Sequence, residues 1–167
     1  VLLQRGSHAP APRLLGWGAA ADAHHRTGPD PTGSGAARAM RAALADAQLS
    51  CDDPQFVSAH GTGTSFNDLM EAQALARVFG ERATRIPVYG IKGALGHTLA
   101  AAGGLEAITC GMATRHSVLP PTVNLRDIDP AIALDVVHGA PRAGDFRCGI
   151  CSASGFGGIN AALVIAS

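Results

Sequence analysis

Charge is scarce in this chain. Asp, Glu, Lys and Arg make up 16% of its 167 residues against 47% apolar, and 13 Lys+Arg balance 13 Asp+Glu to a formal net charge of zero. No long basic block is present, so the electrostatic footprint of a nucleic-acid binder is missing. No apolar run approaches the roughly 20 residues that a membrane-spanning helix needs. Val1-Leu2-Leu3-Gln4-Arg5 lacks the basic start and longer apolar core of a signal peptide and reads as the end of a strand, so the chain is expected to begin mid-domain. Cysteines are few: Cys51, Cys110, Cys148 and Cys151. They lack the density of a disulfide scaffold, which points to a reducing cytoplasm. Cys148 and Cys151 have CxxC spacing, but a single pair is weak evidence for zinc. Residues three apart on a strand also point to opposite faces. Core cysteines are expected, and no metal site. No repeat, low-complexity tract or dividing linker appears, so residues 1–167 are expected as one domain. The apolar excess implies more buried surface than a lone small domain usually has.

What is present is an alternation of strand and helix signals. His8 to Pro12 is a proline-broken connection, and Arg13–Ala20 reads as a strand with small residues where neighbours come close. Residues 21–35 form a loop in which His24 and His25 are a solvated pair. Ser34 caps a helix to Leu49, with Ala36, Met40, Ala43, Leu44 and Ala47 at helical spacing. Gln55–Ala59 is a short strand. Asn67-Asp68 caps a helix with an apolar face of Leu69, Ala72, Ala76 and Phe79, closed by Gly80. Ile86–Ile91 is a strand. Thr98 to about Arg115 is a helix so rich in Ala and Gly that tight packing in the middle of a layered structure is expected; each internal glycine costs about 1 kcal/mol. Leu119–Leu125 is extended. Ala133–Val137 is a strand, and Phe146–Ser152 and Asn160–Ala166 close the chain as a hairpin. The order points to an α/β sandwich.

Two phrases stand out. Val57-Ser58-Ala59-His60-Gly61-Thr62-Gly63-Thr64 is a strand that ends in a histidine and an alternating Gly/Thr loop. Gly90-Ile91-Lys92-Gly93-Ala94-Leu95-Gly96-His97-Thr98 is a second strand running into Gly, His and Thr. Two histidines at two strand ends are a candidate active site, open at this point to metal binding, base catalysis or hydrogen-bond donation.

These phrases, with Asn67-Asp68 and Glu71, Leu99 to Gly103, Pro121-Thr122-Val123-Asn124-Leu125 and Gly155-Phe156-Gly157-Gly158-Ile159-Asn160, resemble the C-terminal half of the β-ketoacyl-acyl carrier protein synthases. The motifs run in the family's order over nearly the whole chain. The resemblance implies the C-terminal half of a thiolase-like, layered αβαβα fold, with a mixed sheet and covering helices. It implies decarboxylative condensation of a cysteine-bound acyl group with malonyl-acyl carrier protein, in fatty-acid or polyketide synthesis. By motif, His60 and His97 are the decarboxylation histidines, whose neutral imidazoles donate to a developing enolate oxygen. Lys92 matches the family's lysine and Glu106 the carboxylate that pairs with it; a buried ammonium needs such a partner. Thr62 and Thr64 resemble the hydroxyls that bind the phosphopantetheine amides, and i and i+2 of an extended loop face the same side. Gly155, Phe156, Gly157 and Gly158 resemble the family's gate. There the Phe156 N–H is an oxyanion donor for acylation, and glycine permits positive φ and movement.

The chain departs from the family at the nucleophile. None of the four cysteines has the setting of the family's cysteine, a sharp turn before a buried helix in the N-terminal half. The first expectation is therefore one part of a ketosynthase completed by an N-terminal half. The alternative is a non-catalytic partner like the chain-length factors that shape the acyl tunnel, and an inactive fragment is a third reading. Both histidines and the lysine favour the first, because a partner that does no chemistry has no physical need of them. No cofactor is expected on the chain itself, since substrates arrive on the carrier protein's phosphopantetheine. A homo- or heterodimer, closer to free-standing type II enzymes than to megasynthase domains, is expected. Alone, the half-fold is expected to expose apolar surface and aggregate.

Overall fold

A computed structural model describes residues 3–6 and 11–167. The strand end read at Val1–Arg5 lies partly outside them, and Leu3–Gly6 have no regular structure; most of the His8–Pro12 connection also lies outside. The main sheet has six strands in the order β1-β8-β7-β2-β3-β5. These are β1 (Arg13–Ala21), β2 (Phe56–Ser58), β3 (Pro87–Tyr89), β5 (Asp135–Val136), β7 (Cys148–Gly155) and β8 (Ile159–Ala166). β7, β2, β3 and β5 run parallel, while β8 is antiparallel to β7 and β1 is antiparallel to β8. β4 (Val118–Leu119) and β6 (Arg142–Ala143) form a separate two-stranded ladder.

Strand alternation divides the core into two halves. Val57, Val88, Ile150 and Val164 point to one face of the sheet, under α1 (Ser34–Asp46) and α2 (Ser65–Phe79). Their neighbours Phe56, Tyr89, Cys151 and Ile165 point to the other face, under α4 (Ala102–His116). The result is a helix–sheet–helix sandwich with a mixed sheet, as expected. Cys148 and Cys151 fall on opposite faces, as their spacing requires. The small residues of β1 also serve as expected. A Cβ on Gly16 would lie 2.5 Å from the Ala43 oxygen, and one on Gly18 would lie 2.8 Å from the Ala42 Cβ, so α1 lies directly on the strand backbone.

Several local expectations need correction. Ser34 does not cap α1; the N-cap is Gly33, at φ 66°, and Ser34 is the first helical residue. α2 begins at Ser65, before Asn67-Asp68, with Thr64 as N-cap. Its buried face carries Asn67, Met70, Glu71, Ala74, Leu75, Val78 and Phe79, while Leu69 and Ala76 are exposed. The buried Asn67 and Glu71 rotate the helix by taking positions that hydrophobic periodicity assigns to solvent. Gly80 does close α2, at φ 57°. The helix expected from Thr98 starts as a 3₁₀ turn over Leu99–Ala101 and continues as α4, and a short helix not expected from the sequence, α3 (Lys92–Leu95), precedes it. Of the α4 glycines, Gly111 meets Pro12 and Ile165, whereas among the described residues Cβ atoms on Gly103 and Gly104 would meet nothing within 4 Å. α4 covers one face of the sheet and leaves its own outer side open, with Ile108 and Met112 exposed. The stretch 153–159 is mostly strand, and only Phe156–Gly158 form the hairpin tip.

Candidate active site

The parallel strands place the site. Crevices in α/β sheets open at the C-terminal ends of parallel strands, and His60 and Lys92 follow the ends of the adjacent strands β2 and β3. Alternating glycines make the first turn possible, with Gly61 at φ 46° and Gly63 at φ 70°. Glu71 holds that turn from below. Its carboxylate accepts the backbone N–H groups of His60 and Gly61 at 2.7 Å each, Asn67 Nδ2 at 3.1 Å and Ser152 Oγ at 3.1 Å. Burial pushes the Glu71 carboxyl up, while the Gly61, His60 and Ser152 donors pull it down. This anchoring role was not read from the sequence. The signal available was Asn67 and Glu71 four apart on one helix face.

The structure brings His60, Lys92, Glu106 and His97 together. Lys92 is buried and donates Nζ to Glu106 Oε1, to the His60 carbonyl and, at 3.1 Å, to His60 Nδ1. Glu106 is 0% exposed. Burial raises the Glu106 pKa, and the hydrogen bond and charge of Lys92 oppose the rise. The His60 and His97 rings meet edge to face, with centroids 5.5 Å apart and planes at 84°. His60 is held neutral, its pKa lowered to about 4 by burial first, then by the Lys92 charge and by His97.

The tautomers follow from the donors. Lys92 has only protons to offer His60 Nδ1, which leaves the His60 proton on Nε2. His97 Nδ1 accepts the Leu99 backbone N–H at 3.2 Å, so its proton is on Nε2 as well. Two imidazole N–H donors are thus fixed by different groups, an arrangement that can stabilise negative charge developing on one oxygen.

Thr62 and Thr64 share a side, as their spacing requires: their hydroxyls lie 2.8 Å apart. Both line a cleft of about 520 Å³, together with Lys92, His97 and the 122–136 segment. Phe156 does not line it. Its ring is 78% exposed at the hairpin tip, and the glycines of that tip face the 22–26 loop. There Gly157 N–H donates to the Arg26 carbonyl, and the Gly158 carbonyl accepts from Asp22 N–H. Gly155 ends β7, and Gly157 and Gly158 take φ 85° and 71°. The Ser58–Cys151 register places that tip at the same end of the sheet as His60. Three of the four cysteines are poor nucleophiles in place. Burial raises the Cys110 and Cys148 thiols and pushes Cys151 up to about 12, and Cys51 lies in an exposed turn after α1.

The chain is 43% identical over 151 residues to "3-oxoacyl-[acyl-carrier-protein] synthase 2" of Mycobacterium leprae, covering 90% of this chain and 36% of that protein. Two solved structures cover 98% of the chain. "The ishigamide ketosynthase/chain length factor" superposes with a TM-score of 0.89 at 40% identity, over 39% of that chain. A ketosynthase complex titled "type II PKS acyl-carrier protein in complex with its ketosynthase bound to the hexaketide" gives 0.91 at 33% identity, over 40% of that chain. The protein thus spans about two-fifths of the length of these relatives. Residues 12–126 match the family described as "Beta-ketoacyl synthase, C-terminal domain", so the chain belongs to the β-ketoacyl synthases.

Proposed function

We propose that this chain supplies the decarboxylating part of a β-ketoacyl-acyl carrier protein synthase. The observation that carries the reading is the meeting of the His60 and His97 rings, centroids 5.5 Å apart, each with Nδ1 occupied as an acceptor so that Nε2 carries the donor proton, backed by the buried Lys92–Glu106 pair. The malonyl unit's carboxylate leaves as CO2, and the electron pair of the broken C–C bond moves into the thioester. The enolate oxygen so formed takes hydrogen bonds from the two Nε2–H groups. The enolate carbon then attacks an acyl thioester held on a cysteine, forming the new C–C bond and releasing the thiolate. That cysteine belongs to an N-terminal half, since the chain's buried thiols are held protonated. Lys92 neither gives nor takes a proton in this scheme; it fixes the His60 tautomer and adds to burial in keeping the ring neutral.

Thr62 and Thr64 are proposed to bind the phosphopantetheine amides of an acyl carrier protein in the cleft they line. Phe156 is proposed as the gate of the acyl pocket, its N–H serving the acylation step, at the end of the sheet that also carries His60. The exposed apolar residues Leu95, Leu99, Ile108 and Met112 lie beside His97 and along α4 and favour coverage by the N-terminal half within a dimer. No described helix is long and apolar enough to cross a membrane; a cytoplasmic setting is proposed. A chain-length-factor role is disfavoured because burying an ammonium against a neutral imidazole is costly without chemistry to serve.

The test is intact-mass analysis of the purified assembly after incubation with acyl- and malonyl-loaded carrier protein. An acyl adduct on a cysteine outside these 167 residues supports the reading. An adduct on Cys51, Cys110, Cys148 or Cys151 overturns the division of labour.

A further inference from the structure

The Pro121–Leu125 segment passes over the Lys92 turn and touches it on both sides of the lysine. Gly90 N–H, two residues before Lys92, donates to Thr122 Oγ1 at 3.1 Å. Asn124 Nδ2 donates to the carbonyl oxygen of Gly93, one residue after Lys92, at 2.9 Å. Between these two bonds the backbones are in contact, and a Cβ on Gly93 would run into the Val123 carbonyl oxygen.

The strap is itself tied to the sheet. Thr122 N–H donates to the Val137 carbonyl at 2.7 Å, and Val137 N–H donates to the Val88 carbonyl of β3 at 2.8 Å. Asn124 sits at φ 64°, a left-handed conformation in which Asn is among the few non-glycine residues at ease. That conformation turns the segment at the point where its amide reaches Gly93.

The carbonyl that Asn124 reaches matters. α3 has only four residues, Lys92–Leu95, so its carbonyls lack a following turn to bond. The Lys92 carbonyl is satisfied by Gly96 N–H at 2.8 Å, and the side chain of Asn124 serves the next one. This turn carries Lys92 at its start and leads into His97, the two residues that set the tautomer of one imidazole and supply the other. A shift here moves both at once.

We infer that Thr122 and Asn124 are positioning residues for the decarboxylation step, setting the Lys92-to-His97 turn relative to His60. The inference rests on the function proposed above. The substitutions to test are Asn124→Asp, which keeps shape and left-handed tolerance but loses the N–H donor, Asn124→Gly, which keeps only the backbone freedom, and the pair Thr122→Val and Thr122→Ser. Each is made in the synthase assembly containing this chain, with His97→Ala as reference. Steady-state release of CO2 from malonyl-carrier protein is measured alongside thermal unfolding.

Asn124→Asp, Asn124→Gly and Thr122→Val are expected to lower kcat on the order of tenfold, less than the ~10²-fold that a full 1 Å misplacement of reacting groups can cost. KM and the melting temperature should stay near the parent values, and Thr122→Ser should recover the rate. Parent-like kcat in the first three, with His97→Ala impaired, overturns the strap's role and leaves the histidine assignment standing. Equal losses in kcat, KM and melting temperature also overturn it, because they mark a purely structural segment. Unimpaired His97→Ala overturns the functional reading, and this inference with it.

Discussion

Lys92 Nζ lies 3.1 Å from His60 Nδ1 while bound to Glu106, which is fully buried. A cation is thus pressed against an imidazole that must stay neutral. Removing one member of such a set strands the others. Lys92→Met is expected to destabilise the fold by about 3–5 kcal/mol, whereas Lys92→Met with Glu106→Leu should recover most of that loss. Neither variant should decarboxylate. Denaturant unfolding with a parallel CO2 assay checks both halves of the expectation.

His60 carries a pH dependence of its own. Its pKa falls from 6.5 to about 4 on folding, so between those values the unfolded chain binds the proton and the folded chain does not. The contribution to stability is complete above pH 6.5 and declines as pH falls toward 4, by roughly 2 kcal/mol at pH 5. Glu71 and Glu106, raised by burial, push the other way. The quantity to measure is therefore the difference between parent and His60→Gln in unfolding free energy at pH 7 and pH 5, and that difference should shrink at pH 5.

Glu71 accepts four hydrogen bonds, two of them from the His60 turn. Glu71→Gln turns one oxygen into a donor facing donors. A loss of about 2–4 kcal/mol is expected, from broken charge-assisted bonds and stranded N–H groups. Faster amide hydrogen exchange at His60 and Gly61 should accompany it.

Gly18 lies under α1 with no room for a methyl group. Gly18→Ala is expected to lower stability by about 1–3 kcal/mol through overpacking, visible as a lower melting temperature. Ala19, next to it and exposed, should tolerate Ser with little change.

The exposed Leu95, Leu99, Ile108 and Met112 should make the isolated chain self-associate. Size-exclusion chromatography with light scattering is expected to show aggregates for the chain alone and a defined species with the N-terminal half. A monodisperse monomer would count against an interface on this side.

How much of this was legible in the sequence differs by element. The strand-end histidines and the alternating Gly/Thr loop could be read because each needs special residues at short spacing, whereas the Lys92–Glu106 pair followed from the family resemblance. Gly16 and Gly18 likewise announced a close approach, and α1 shows the expected face. The face of α2 was not legible. Buried Asn67 and Glu71 look like solvent residues to hydrophobic periodicity; the His60 and Gly61 N–H groups that Glu71 accepts, and the Asn67 amide that donates to the same carboxylate, explain them. The short helix α3 before Gly96 was hidden for the opposite reason. Ala and Gly fit helix and turn alike there, and the turn is met by Asn124, 31 residues from Gly93. Among the described residues, Gly103 and Gly104 pack against nothing, so the close approach their sequence suggests is not met here.

The histidine pair is best tested by CO2 release from malonyl-carrier protein in the assembled synthase, comparing the parent with His60→Ala and His97→Ala. Removing a preorganised donor to a developing oxyanion lowers the rate about 10²–10³-fold, and a loss of that size is expected in each variant, with the fold retained. Unchanged decarboxylation in both variants would contradict the assignment of His60 and His97.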